Sequence, residues 1–218
     1  MKINLTEKYF FSNYKCEAYL INFEMFDFKK DKMFLHEEIN EKIKLTENVK
    51  IENFEPLIVT SFTENISNKV YEDIEIVEFY LLDGHHRWDY AVRSNQTHKL
   101  KCVLVHYKDV KIETYNFEIN TENNLFESCL KENGFQKVDN FNNSIRFKKQ
   151  YFSSKRYDNK YSLYEFKRKI QKNNLIIPVG DKTVPYERLI NFTPIDINDI
   201  KNLEDLLPPK STWITPRI

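Results

Sequence analysis

Ile74-Glu75-Ile76-Val77-Glu78-Phe79-Tyr80-Leu81-Leu82 runs without a break into Asp83-Gly84-His85-His86-Arg87 and then into Trp88-Asp89-Tyr90-Ala91-Val92-Arg93. The first stretch reads as a strand, the second as a sharp turn, and the third as a helix. Glycine lets a backbone turn where a Cβ would clash, and a helix start leaves free N–H groups that attract an anion. Arg87 adds a planar fork of donors that matches a phosphate. Asp-Gly alone is an ordinary turn dipeptide, and a lone histidine or a first-turn arginine is ordinarily just solvated. Five such residues in a row at the carboxyl end of an apolar strand are a different matter, because α/β proteins place their ligands at that edge. The stretch therefore reads as a phosphate cradle with acid/base groups beside it.

Composition bounds the rest. The 218 residues suffice for one large domain, or one domain with a substantial appendage, and for a real core. Lys plus Arg and Asp plus Glu both number 33, so no bulk positive field supports nucleic-acid binding, and no specific nucleic-acid partner is expected. Aromatic residues make up 15%, chiefly 17 Phe and 13 Tyr, which points to a core of large side chains. Cys16, Cys102 and Cys129 have no paired spacing, which argues against a disulfide framework or a zinc ribbon. No signal-peptide run opens the sequence and no stretch of about twenty apolar residues occurs, so the expectation is a soluble cytoplasmic protein without a membrane partner. A homodimer is left open.

Along the chain, Ala18–Ile21 reads as a strand, and Phe34, Leu35, Ile39 and Ile43 recur at helical spacing, predicting a helix over 34–44 with His36-Glu37-Glu38 at its start. Strands are expected at Pro56–Thr60, Ile74–Leu82 and Lys101–Tyr107, a hairpin loop at Thr63–Asp73, and a helix at Trp88–Asn95. The order strand, helix, strand, strand, helix, strand implies a small α/β domain over residues 1–115. Residues 116–218 read as an α+β extension. Within it a helix is expected at Leu125–Glu132, ended by Asn133-Gly134, with a strand at Ser144–Phe152, a helix at Ser162–Lys172 and a β piece at Leu175–Ile177. Prolines punctuate the tail, which is expected to fold back on the first domain through Trp213.

Leu35-His36-Glu37-Glu38, Pro56-Leu57-Ile58-Val59, Leu81-Leu82-Asp83-Gly84-His85-His86-Arg87 and Val103-Leu104-Val105 together resemble the ParB/sulfiredoxin superfamily, in its small-molecule branch that includes the free serine kinases. That resemblance implies an α/β (α+β) fold, a small mixed-sheet domain with a C-terminal extension. It also implies that the Asp-Gly-His-x-Arg element binds nucleotide phosphates and that a Glu of the His-Glu segment is the base toward a substrate hydroxyl. Glu37 is then the first candidate and Glu38 the second. Leu207-Pro208-Pro209-Lys210-Ser211-Thr212-Trp213-Ile214-Thr215-Pro216-Arg217 is similar to the ending of an uncharacterised prokaryotic family that carries the same Asp-Gly-His-His-Arg. Lys210, Ser211 and Thr212 are phosphate-contact candidates there, although the glycines of a P-loop are missing. Sulfiredoxin chemistry needs a Cys where His85 stands, and a chromosome-partitioning ParB needs a different arginine-rich element and a basic helix-turn-helix.

Phosphoryl transfer asks for positioning, charge neutralisation and a group that takes the acceptor proton. Gly84, His85, His86 and Arg87 would hold the phosphates of ATP or ADP, and Asp83 would hold Mg²⁺ directly or through water. Glu37 would accept the hydroxyl proton of a small metabolite such as serine, with His85 or His86 neutralising the transferring group. His36 reads as a helix-start residue, or as a support for the residues that touch the ligand, rather than as a catalytic group. Two rivals use the same residues. One is a nucleotide-binding regulatory module without turnover, which would not require the Glu37/Glu38 pair; the other is a metal-dependent hydrolase or nuclease on Asp83, His85 and His86, whose adjacent imidazoles diverge on regular backbone. Arg93, Lys101, Arg146 and Arg217 are candidate clamps for an acceptor carboxylate that spacing does not rank.

Overall fold

A computed structural model of the chain describes all residues except 1, 6, 40–49, 63–72, 77, 141, 180–181, 203–205, 209–211 and 217–218. The chain divides into two compact units, one made of Met1–Lys111, Asp196–Pro209 and Ile214–Ile218, the other of Ile112–Ile195 and Lys210–Trp213. In order, the elements up to the first helix are β1 (Lys2–Asn4), β2 (Ala18–Asn22), β3 (Lys32–Leu35), β4 (Leu57–Ser61), β5 (Asp73–Glu75), β6 (Glu78–Asp83) and α1 (His85–Arg93). Then come β7 (Lys101–His106), β8 (Lys111–Thr114), β9 (Phe117–Ile119), α2 (Asn123–Glu132), β10 (Gln136–Val138), β11 (Ile145–Phe147) and β12 (Gln150–Ser153). The chain finishes through α3 (Lys160–Lys172), β13 (Ile176–Pro178), β14 (Leu189–Phe192), α4 (Ile197–Lys201) and β15 (Thr212–Thr215).

The first unit is built on a five-stranded mixed sheet in the order β2-β7-β4-β6-β3, with β3 parallel to β6 and β4 parallel to β7. Its central strands β4, β6 and β7 carry near-continuous apolar runs because both of their faces are buried. On one face Leu57, Val59, Phe79, Leu81, Cys102 and Leu104 meet Trp88, Tyr90 and Ala91 of α1. Each large side chain buried there stabilises the fold by about 1.5–3 kcal/mol, which fixes α1, and the turn before it, against the sheet. Burial among these groups also pushes the Cys102 thiol well above its ordinary pKa.

The helix expected over 34–44 does not form in the described part of that range: Phe34 and Leu35 end β3, His36 is a bend, and Glu37 lies in a β-bridge, while 40–44 fall outside the described residues. Phe34 stacks on Tyr80 across the parallel pair, with ring centroids 5.0 Å apart, and Leu35 pairs with Leu81. Cross-strand packing of this kind overrides a local spacing that suits helix and strand equally. The strand expected over 74–82 is two strands, β5 paired to β1 and β6 in the main sheet, separated around the buried Ile76. The loop expected over 63–73 lies outside the described residues except for Asp73, which begins β5.

The second unit holds a six-stranded antiparallel sheet in the order β10-β12-β11-β14-β9-β13. α2 ends at Glu132 with Asn133 as its cap, and Gly134 takes φ 76° as its amide donates to Lys131 O, the left-handed stop expected there. α3 starts from Asn159, whose side chain accepts from Ser162 N. The strand expected over 144–152 is a hairpin instead: Lys148 and Lys149 both take positive φ, at 48° and 60°, and turn β11 back as β12. Two left-handed residues in succession give the tight turn that matches strand twist. β8 pairs with β15 in a separate two-stranded ribbon.

Candidate functional site

β6 delivers Asp83 to the carboxyl edge of its sheet, and a single residue, Gly84, reverses the chain into α1. Gly84 caps the helix at φ 96° and ψ 24°, a left-handed conformation that side-chain-bearing residues rarely adopt. A Cβ there would also lie 2.5 Å from Leu57 Cδ2. The helix therefore begins at His85, three residues before its expected start. The first intrahelical bond runs from Trp88 N to Gly84 O at 2.9 Å, so the amides of His85, His86 and Arg87 precede the helical ladder, and Gly84 has no side chain to cap them. An α-helix opened in this way presents N–H groups and the positive end of its dipole to an anion.

Arg87 lies beneath this turn. Its Nη1 donates to the carbonyl oxygens of Glu55 and Pro56, the latter at 3.1 Å, and its Nη2 lies 3.3 Å from Asp83 Oδ2. The guanidinium thus ties the entry of β4 to the end of β6, next to Ile58 and Asp83, which pair across the two strands. Its charge sits against Gly84, since a Cβ on that residue would fall 3.0 Å from Nη2 and 3.1 Å from Nε.

On the neighbouring strand the chain leaves β3 at Leu35, which is in parallel register with Leu81, so His36 and Glu37 emerge at the same edge as Asp83. His36 is 2% exposed, and its Nδ1 donates to Leu81 O at 2.9 Å. That bond leaves Nε2 of the neutral ring as the acceptor. The His36 ring meets His85 edge-on, with centroids 4.8 Å apart at 70°. His85 Nε2 is enclosed and has no hydrogen-bond partner among the described residues, a group whose burial costs free energy until a ligand or water satisfies it.

Both imidazoles are held neutral. Burial pushes the His36 pKa down against the opposing pull of Glu37, the Leu81 carbonyl and Asp83, so both carboxylates act on this ring. His85 is pushed well below its ordinary value by burial first, then by His36, His86 and Arg87. His86, half-buried, is lowered by burial and partly restored by Asp89. Unfolding releases these rings to titrate near pH 6.5, so the stability from their neutral native state is present above about pH 6.5 and is lost as pH falls below it. The melting temperature is expected to drop between about pH 7.5 and about pH 5.5, and a His85→Asn variant to show a shallower drop. Equal slopes in the two proteins would show that His85 titrates as it does in the unfolded chain.

Glu37 and Glu38 are both half-buried, and the backbone on either side of Glu37 is gripped by the returning C-terminal segment of the same unit. Leu207 N donates to His36 O at 2.9 Å, and Glu38 N donates to Leu207 O at 2.7 Å. Of the tail candidates, Lys210 and Ser211 lie outside the described residues, whereas Thr212 is buried in β15 and belongs to the second unit.

The structure therefore brings His36, Glu37, Asp83, Gly84, His85, His86 and Arg87 to one edge, and adds two things that the sequence did not assign to the site: the Glu55 and Pro56 carbonyls, and Leu207. His36 had a legible signal in its place beside Glu37; main-chain partners have none. Among the clamp candidates Lys101 starts β7 at this same edge, beyond β4, while Arg93 pairs with Asp89 at the far end of α1 and Arg146 is exposed on β11 of the second unit. Arg217 lies outside the described residues. Among the described residues no group of three or more His, Cys, Asp and Glu side chains is arranged to hold a metal ion. Two open clefts elsewhere, of about 680 Å³ beside Tyr9, Phe11 and Tyr14 and about 590 Å³ beside Asn133, Lys137 and Arg156, hold no comparable grouping of open helix turn, imidazoles and carboxylates. No helix among the described residues is long and apolar enough to cross a membrane.

No protein-family model and no curated protein matches the sequence. Solved structures do match. SbnI with a C-terminal truncation, from Staphylococcus aureus, superposes with a TM-score of 0.59 at 12% identity over 92% of this chain and 84% of that one. A free serine kinase variant in complex with ADP gives 0.51 at 12% identity over 93% and 89%, and the same variant in complex with AMP gives 0.51 at 13% over 95% and 91%. At such identities the likeness speaks for architecture alone, and the chain has the mixed α/β fold of SbnI and free serine kinase.

Proposed function

We propose that the protein is a nucleotide-dependent phosphotransferase acting on a hydroxyl of a small metabolite, with a free amino acid such as serine as the first acceptor to test. The observation that carries this reading is the enclosed, partnerless Nε2 of His85 in the open first turn of α1, with Glu37 at the same sheet edge. Phosphate oxygens are the natural partners for such a turn, and a neutral imidazole donates to them without a counter-charge. The backbone of Gly84–Arg87 binds the phosphates of ATP or ADP, and the Arg87 guanidinium adds positive charge beneath them. Asp83 would hold Mg²⁺ directly or through water, and that ion would supply charge neutralisation on the phosphates. Glu37 takes the acceptor's hydroxyl proton as the hydroxyl oxygen attacks the terminal phosphorus of the nucleotide, whose bond to the bridging oxygen breaks to release ADP from ATP or AMP from ADP, and Glu38 stands second to it. Residues 1–115 carry this site as a nucleotide-binding domain, and 116–218 form the extension. Structural neighbours solved with ADP and AMP support the choice of ligand class.

The test is calorimetric titration of the full chain with ADP and ATP, with and without Mg²⁺, followed by transfer of labelled phosphate to L-serine and other hydroxyl metabolites. Saturable binding with transfer is expected. Binding without transfer to any acceptor would favour the regulatory module, and no nucleotide binding would remove the assignment.

A further inference from the structure

We propose that Leu207 is a positioning residue for the candidate base, a backbone clamp that sets the direction of Glu37; the inference rests on the phosphotransferase reading above. A side chain leaves the main chain in a direction set by its own φ and ψ, and those torsions are fixed when the peptide groups on both sides are held. Both are held here by one residue. The carbonyl of His36, in the peptide before Glu37, accepts from Leu207 N at 2.9 Å, and the amide of Glu38, in the peptide after it, donates to Leu207 O at 2.7 Å. Glu37 itself makes no ladder bond in this parallel bridge, so it stands between the two clamped peptides.

The clamp is anchored independently of Glu37. Leu207 is 3% exposed, the following Pro208 is buried, and the segment Asp196–Pro209 belongs to the same compact unit as β3 and β6. Upstream, Lys201 at the end of α4 lies over the Phe62 ring with its Nζ 5.1 Å from the centroid, a second attachment of this segment just beyond β4. Nothing in β3 does the same work, because the pairing of β3 with β6 ends at Leu35 and Leu81. Past that point His36 is fixed by its ring bond to Leu81 O, and Glu37 has the C-terminal segment. A base misplaced by about an ångström loses much of its effect, whereas phosphate binding at Gly84–Arg87 draws on another part of the edge. The clamp therefore bears on turnover and not on nucleotide affinity.

Leu207→Pro removes the N–H that His36 O accepts and leaves Glu37 and the nucleotide turn chemically intact. In the full chain, with ADP or ATP as donor and L-serine as acceptor, kcat is expected to fall about tenfold to a hundredfold while calorimetric affinity for ADP stays unchanged. The decisive reading is the combination with Glu37→Gln: if Leu207 acts through Glu37, Leu207→Pro changes turnover no further in that background. Independent, multiplicative losses in the double variant, or a loss of ADP affinity as large as the loss of kcat, would overturn the clamp. Where Leu207→Pro fails to fold, Leu207→Gly keeps both backbone bonds and loosens only their anchor, and the same comparison applies. Amide exchange in the unmodified chain reads the clamp without any turnover: the Glu38 and Leu207 amides are expected to exchange slowly and together, and exchange of either at the rate of a free peptide would overturn the proposal. If the wild-type chain transfers no phosphate while these two amides are protected, the phosphotransferase reading has failed and the backbone clamp has not.

Discussion

Glu37→Gln is expected to leave nucleotide affinity where it is and to lower turnover by about 10² or more, since a general base contributes roughly 10²–10⁴-fold. The separation of the two effects follows from position. Nucleotide phosphates are assigned to the first turn of α1, and Glu37 stands at the end of the neighbouring strand with its carboxylate acting on the His36 ring. Gln keeps the size and the hydrogen-bonding shape of the side chain but cannot take a proton at neutral pH. Glu38→Gln should cost much less, because its backbone shares the Leu207 clamp while its side chain departs from the opposite side of the extended segment. The check is kcat and KM for both variants beside calorimetric ADP titrations. Turnover of Glu37→Gln within a factor of about two of wild type would mean that the base is another group, His85 or Glu38, or that the reaction needs none.

What could be read from the sequence and what could not divide along a physical line. The turn at Asp83–Arg87 was legible because a lone glycine between an apolar run and an amphipathic stretch has few backbone solutions, and Gly84 at φ 96° is one of them. α2 and its Asn133-Gly134 stop were legible for the same reason, as local chemistry with local consequences. Phe34–Leu35 was not, because its spacing serves a helix or a strand and the decision is made by Tyr80 and Leu81, far along the chain. The Lys148-Lys149 turn was hidden since lysine gives no sign that it will take positive φ. At the candidate site the residue types were visible while their arrangement was not: His36 on Leu81 O, Arg87 on two carbonyls of the β4 entry, and Leu207 on both sides of Glu37 are all bonds to main-chain groups, which every residue carries alike. Sequence reading therefore names the chemistry of such a site before it can name its supports.

Arg87 combines both aspects, and its replacement separates them. Three hydrogen bonds join its guanidinium to Glu55 O, Pro56 O and Asp83 Oδ2, with the side chain 17% exposed. Arg87→Ala leaves two carbonyls and a carboxylate to find other partners; with partial access to water this is expected to cost about 1–3 kcal/mol, a fall of roughly 2–10 °C in melting temperature for a chain of this size. It also removes the charge that lies against Gly84, so ADP affinity should drop about tenfold or more, the worth of one desolvated charge-assisted contact. Arg87→Lys distinguishes the two contributions. An ammonium keeps the charge but cannot bridge two carbonyls and a carboxylate with one planar fork, so affinity should recover in part while the melting temperature stays near that of Arg87→Ala. Affinity that returns only when stability returns would make Arg87 a structural tie whose effect on nucleotide runs through the shape of the turn. Unchanged affinity in Arg87→Ala would remove the Asp83–Arg87 turn as the phosphate site, and with it the reading of the whole edge.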